Sequence, residues 1–129
     1  QFDNNEHYRF ALVIMSEPGL YTVIVDTNFT DFQTIRNRIQ SLRSDGSGLE
    51  ASLDAMLYVC QQSNPLQLAW RDTSNKIMFV FTDEGPQTYT NPPSTKLMIA
   101  DACLNKSVFA FIWSRDIAGF EPITQTYGT

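Results

Sequence analysis

Ser47, Glu50 and Asp83 are oxygen-bearing side chains that the order of elements brings toward one edge of a sheet. Ser47 stands in the polar loop Ser44-Asp45-Gly46-Ser47-Gly48, Glu50 opens the helical pattern that follows, and Asp83 closes the apolar run that starts at Lys76. Hydroxyl and carboxylate oxygens grouped in this way suit a hard divalent cation such as Mg2+. The carboxyl end of a buried strand is also where open α/β sheets place their ligands. Each residue has a plainer reading. Ser47 reads as a turn serine between glycines. Glu50 reads as a first-turn acid that favours the helix dipole. Asp83 reads as a cap or turn acid ahead of Gly85. Glu84 points away from Asp83 if the backbone stays extended.

The elements that must hold these residues follow from periodicity. Tyr8 to Met15 and Tyr21 to Val25 are apolar, β-branched runs separated by Ser16-Glu17-Pro18-Gly19, which predicts a hairpin. Thr30-Asp31 offers helix-capping chemistry, and Phe32, Ile35, Ile39 and Leu42 recur at helical spacing to about Arg43. A second helix is expected from Leu49 to Gln62, with Leu53, Met56, Leu57 and Cys60 on its apolar face and Ser63-Asn64-Pro65 as its stop. Trp70 is an expected anchor in the connection that follows. Ile77 to Phe81 and Val108 to Trp113 are nearly all apolar, the pattern of strands covered on both faces. A third helix is expected over Ser94 to Leu104, and a short one near Glu121 to Gln125. Gly85 to Pro93 reads as a loop that could carry specificity, with no side-chain constellation behind it.

Apolar strands alternating with helices predict an α/β fold: a doubly wound, mainly parallel sheet, one antiparallel edge strand and helices on both faces. A chain of 129 residues, 43% hydrophobic and 18% charged, fits one globular domain. A net charge of −5 disfavours nucleic acid or an anionic membrane as partner. No apolar run approaches the roughly 20 residues that span a bilayer. The polar start, Gln1 to Tyr8, carries no leader pattern, as in a mature chain or a fragment.

Cys60 and Cys103 read as buried thiols in a reducing compartment or as one bridge in an oxidising one. Asn28-Phe29-Thr30 and Asn105-Lys106-Ser107 are glycosylation sequons, which together with the cysteine pair favour an extracellular or cell-surface location. His7 is the single histidine and lies in the polar start, and no serine stands in a nucleophile elbow. A phosphate loop, a paired-cysteine zinc pattern and a basic stripe are also missing from the sequence. These features argue against an enzyme. Trp70, Trp113 and the many phenylalanines read as core rather than as ligand platforms.

Leu49-Glu50-Ala51-Ser52-Leu53-Asp54-Ala55, Cys60, Trp70-Arg71 and Phe79-Val80-Phe81-Thr82-Asp83 together resemble a von Willebrand factor type A domain. The closer likeness is to the A-like domain of integrin β subunits, and it covers about Tyr8 to Trp113. It implies a metal-dependent adhesion site with Asp83, Ser47 and Glu50 as ligands, and a Cys60–Cys103 disulfide. The chain departs from that pattern at Leu49, where the family has proline, and it lacks the family's Asp-x-Ser-x-Ser loop. The resemblance therefore implies a single A-like domain, residues 1–129, incomplete at both ends, whose central strand lies upstream. Its function would be extracellular protein–protein adhesion or assembly, completed at the metal by an acidic side chain of the partner. The alternative is a structural A-type domain with a degenerate site, packing in a larger assembly without metal. An A-domain subunit of a metal-dependent ATPase is a third reading, which the sequons and cysteines disfavour.

Overall fold

The structure is a computed structural model that describes residues 7–15, 23–43, 50–61, 68, 70–121 and 123. It is a mixed α/β fold with three helices and two small sheets. The order is β1 (Phe10–Met15), β2 (Val23–Thr30), α1 (Phe32–Ser41), α2 (Ser52–Cys60), β3 (Lys76–Phe81), α3 (Lys96–Lys106), β4 (Val108–Trp113) and a 3₁₀ turn at Ile117–Phe120. That turn lies ahead of the short helix expected near Glu121.

The expected hairpin forms: β1 and β2 pair antiparallel, Val13 opposite Val25 and Met15 opposite Val23. β2 runs on to Thr30, longer than its apolar run. Helix α1 begins where the sequence caps it. Asp31 accepts from the Thr34 amide at 2.9 Å and from the Thr34 hydroxyl at 2.8 Å, which satisfies one of the orphan donors of a helix start. Those bonds hold the Asp31 carboxyl below the usual carboxylate range. The helix lies loosely on its hairpin. Phe10 and Phe32 meet with ring centroids 5.5 Å apart, and Arg38 grips Asp26 of β2 through Nε and Nη2. Ile35 is its one buried residue, while Ile39 faces solvent.

Helix α2 is the buried centre. Leu53, Met56, Leu57 and Cys60 are all buried, as the periodicity predicts, and so are Ser52, Asp54 and Ala55. A helix closed in nearly all round must contact several elements. It packs against α3 and against both strands of the hairpin. Trp70 holds its far end: the indole Nε1 donates to the Val59 carbonyl at 3.1 Å, and its ring lies 4.8 Å from that of Phe29.

β3 and β4 pair in parallel over their whole length, from Lys76 opposite Val108 to Phe81 opposite Trp113. Helix α3 is the crossover between them. Its start is capped by the Thr95 hydroxyl, which accepts from the Met98 amide at 3.2 Å. Its end is closed by Ser107 in the left-handed conformation, φ 53°, a position where glycine is the usual choice. Met78, Val80, Val108 and Ala110 face inward against Met56, Ile99, Cys60 and Cys103, and Phe120 and Ile123 join this core from the C-terminal side.

Two expectations are corrected here. Among the described residues the strands make two two-stranded sheets, not one continuous sheet. Nor do the described residues cover β3 and β4 on both faces. Their side chains alternate buried and exposed, and Ile77, Phe79, Phe81, Phe109, Phe111 and Trp113 all point outward. Trp113 is 75% exposed and belongs to no core. The all-apolar composition of these strands hides the alternation, because both faces carry the same kind of side chain.

Ile99 is fully enclosed between the two helices and the sheet. Ile99→Ala is expected to cost about 2–5 kcal/mol through lost burial and a residual cavity. Thermal or urea unfolding followed by circular dichroism measures it. A loss below 1 kcal/mol, on the order of an exposed substitution, would contradict this packing.

Candidate functional site at the carboxyl end of β3

Strand β3 ends at Phe81, but its ladder reaches one residue further. The Thr82 amide donates to the Trp113 carbonyl at 3.0 Å. This fixes Thr82 as buried, and its hydroxyl donates to Oε2 of Glu50 in a short hydrogen bond. The Glu84 amide donates back to the Thr82 hydroxyl at 3.1 Å, so the chain turns sharply after the strand. Asp83 stands at that turn, exposed. Glu50, Phe81, Thr82, Asp83 and Trp113 line an open depression of about 470 Å³. Glu50 and Asp83 are thus brought together. Ser47 lies outside the described residues.

Glu50 does not sit in the first turn of α2, because the helix begins at Ser52. Its amide donates to the Gln87 side chain at 3.3 Å, and its carbonyl accepts from the Ser52 amide at 2.8 Å. Asp54 occupies the first turn instead. Asp54 is not among the expected site residues, yet it is the most elaborately bonded side chain near the site. Only 6% exposed, it accepts from the Thr88 hydroxyl at 2.7 Å, the Tyr89 amide at 2.7 Å and the Thr90 hydroxyl at 2.9 Å. Ser94 joins the same cluster, with its amide donating to the Thr88 hydroxyl at 2.9 Å. Burial by itself raises the Asp54 pKa, but the bonds from Ser94, Tyr89, Thr88 and Thr90 outweigh it and hold the carboxyl below its ordinary value.

This network sets the position of the Gly85–Pro93 loop. Two further bonds tie the loop to the start of α2, from the Leu53 amide to the Gln87 carbonyl at 2.9 Å and from the Gln87 amide to the Ser52 hydroxyl at 3.1 Å. On the other side, Ser114 donates to the Glu84 carbonyl at 2.9 Å. Gly119 is closed in: a Cβ there would lie 2.7 Å from the Pro86 ring and 2.4 Å from the Asp116 carboxyl. The loop therefore does have a side-chain constellation behind it. Its sequence signal is the Thr88, Thr90, Ser94 hydroxyl series facing an acid one helical turn past Glu50.

The remaining candidates lie elsewhere. Asn28 on β2 and Asn105 on α3 are both exposed. Cys60 and Cys103 are buried beside each other between α2 and α3, close enough to hydrogen-bond, and are free thiols. Contact with the Cys103 sulfur, together with burial, pushes the Cys60 thiol far above its usual range. His7 is exposed, and its carbonyl accepts from Arg71 at 2.8 Å. Among the described residues, no group of three or more His, Cys, Asp or Glu side chains is placed to hold a metal. No helix among them is long and apolar enough to cross a membrane. No family model, curated protein or solved structure matches this chain.

Because Asp54 has a folded pKa below its unfolded value of 3.8, its stabilisation is present above that value. It is lost as pH falls through the lower folded pKa. Asp54→Ala strands one amide and several hydroxyls, and is expected to cost on the order of 2–4 kcal/mol at neutral pH. Urea unfolding at pH 7 and again near pH 3 tests both statements. The gap between wild type and variant must shrink in acid, and a constant gap would refute the role.

Proposed function

We propose that this chain is a non-enzymatic, extracellular protein-binding module of the von Willebrand factor A type, built on a mixed α/β fold. It engages its partner through the carboxyl edge of β3. The observation that carries this reading is that Glu50 and exposed Asp83 line one open depression at that edge, with buried Thr82 bonded to Glu50. The adjoining loop is held rigidly by Asp54, as a recognition surface requires.

A divalent cation, Mg2+ by the hardness of the donors, fits this place in kind. Glu50 and Asp83 would hold it, with Ser47 assigned from sequence alone. Bound there, it would supply a positive centre for an acidic side chain of the partner. Two carboxylates fill only part of the octahedral oxygen shell that Mg2+ demands, so the remaining positions fall to water and the partner. Thr82 orients Glu50, and Phe81 and Trp113 give the depression an apolar wall. The exposed Asn28 and Asn105 can accept glycans, and the adjacent Cys60 and Cys103 can form a bridge, both in keeping with an extracellular site.

The second reading is a structural A-type domain that binds no metal. The Thr82–Glu50 bond favours it, since Glu50 is then already satisfied within the fold.

Calorimetric titration with Mg2+ or Mn2+ separates the two. Metal-dependent adhesion predicts saturable binding, weakened about tenfold or more by Asp83→Ala, in the millimolar-or-tighter range of extracellular sites. Absence of heat with both ions leaves the structural reading. For the location, material from a secretory host is expected to yield a Cys60–Cys103 peptide on non-reducing digestion, formed by exchange with a disulfide donor. Two alkylatable thiols in that material would sink the extracellular assignment.

A further inference from the structure

Among the described residues, the outward face of β3 and β4 is an aromatic surface without a cover. Parallel register sets Ile77 beside Phe109, Phe79 beside Phe111 and Phe81 beside Trp113. The Phe79 and Phe111 rings stack at 5.4 Å. All six side chains are between 43% and 75% exposed. At the 150–250 Å² that large side chains carry, they present about 700 Å² of apolar surface. That exceeds the few hundred Å² usual for a patch on a soluble monomer. It approaches the ~800 Å² per partner of a standard stable interface.

We propose that this face is the contact between two copies of the chain, packed sheet on sheet. Charge favours a second copy. A chain of net charge −5 repels itself, but no outward position on β3 or β4 is charged, so the two faces meet without like charges. The strand ends are opposite in sign. At the amino end Lys76 is buried on the inner face, and Arg71 and Lys106 outnumber Asp72. Glu50, Asp83, Glu84 and Asp116 lie at the carboxyl end, against Arg115 and Lys96. A two-fold axis that runs the strands of the two copies antiparallel sets each acidic end beside the other copy's basic end. Face-to-face sheets pack about 10 Å apart with interdigitating side chains, and the paired rows of rings here offer ridges and furrows for that. The contact needs no metal.

Sedimentation equilibrium of the 129-residue chain over a dilution series, with EDTA present, tests it. The expected result is a monomer–dimer equilibrium in the micromolar range. Phe79→Glu is expected to weaken it by about 30-fold or more, the loss typical of a central interface side chain. Leu97→Glu, on the exposed side of α3, leaves it unchanged. Circular dichroism verifies that each variant is folded, and Trp113→Ser replaces Phe79→Glu if the latter does not fold. A monomer at every concentration overturns the proposal. If that monomer binds a hydrophobic dye, the face serves a different partner. If it does not, the chain covers the face itself. A dimer that persists in folded Phe79→Glu and Trp113→Ser also overturns it. Because EDTA is present throughout, these outcomes stand apart from the fate of the metal reading.

Discussion

A carboxylate taken out of water must have its lone pairs answered by donors, or the fold loses several kcal/mol. Asp54 imposes that demand on the whole carboxyl edge of the structure. It sits in the first turn of α2, the most enclosed helix, yet its donors are not on that helix. The donors come instead from Thr88, Tyr89 and Thr90, more than thirty residues away in sequence. Meeting them forces the segment after β3 to fold back over the start of α2. That return brings Gln87 against Glu50 and Ser52, and fixes the wall of the depression around Asp83. The polar network therefore sets the shape of the edge, and hydrophobic burial alone does not.

Burial does the remaining work, and it does so on one side. Met56, Ile99, Cys60 and Cys103 pack against the inner residues of β3 and β4, and Phe120 and Ile123 close the end. The opposite face of those strands is as apolar as the inner one, with no layer over it among the described residues. Parallel strands are normally buried on both faces, because their crossovers place helices there. Here one crossover, α3, lies on the same side as α2, which leaves the outer face to be satisfied by association.

Much of the fold was legible because periodicity is a local signal. The hairpin, the Asp31 cap, the four inward positions of α2 and the limits of β4 all follow from spacing and composition within about ten residues. The misses share a different cause. Strands β3 and β4 carry large apolar side chains on both faces, so no pattern marks which face is inside. Trp113 is indistinguishable in sequence from a core residue. Glu50 and Asp54 are both acids at a helix start, and a three-residue shift of that start, from Leu49 to Ser52, decided which entered the first turn. That Glu50 and Asp83 lie at one edge was legible from element order, but the bond from Thr82 to Glu50 was not.

Local residue chemistry was enough to settle the element types, the helix caps, the apolar positions of α2 and the acidic character of the β3 edge. Those depend on neighbours a few bonds or one helical turn away. Tertiary structure alone decided that Asp54 is buried, that Thr88 and Thr90 answer it, that Cys60 meets Cys103 and that six aromatic and aliphatic side chains face outward. Each of these depends on which surfaces meet across long stretches of chain, and a hydrogen-bond donor or a covering layer that arrives from thirty or more residues away leaves no mark on the residues it will meet.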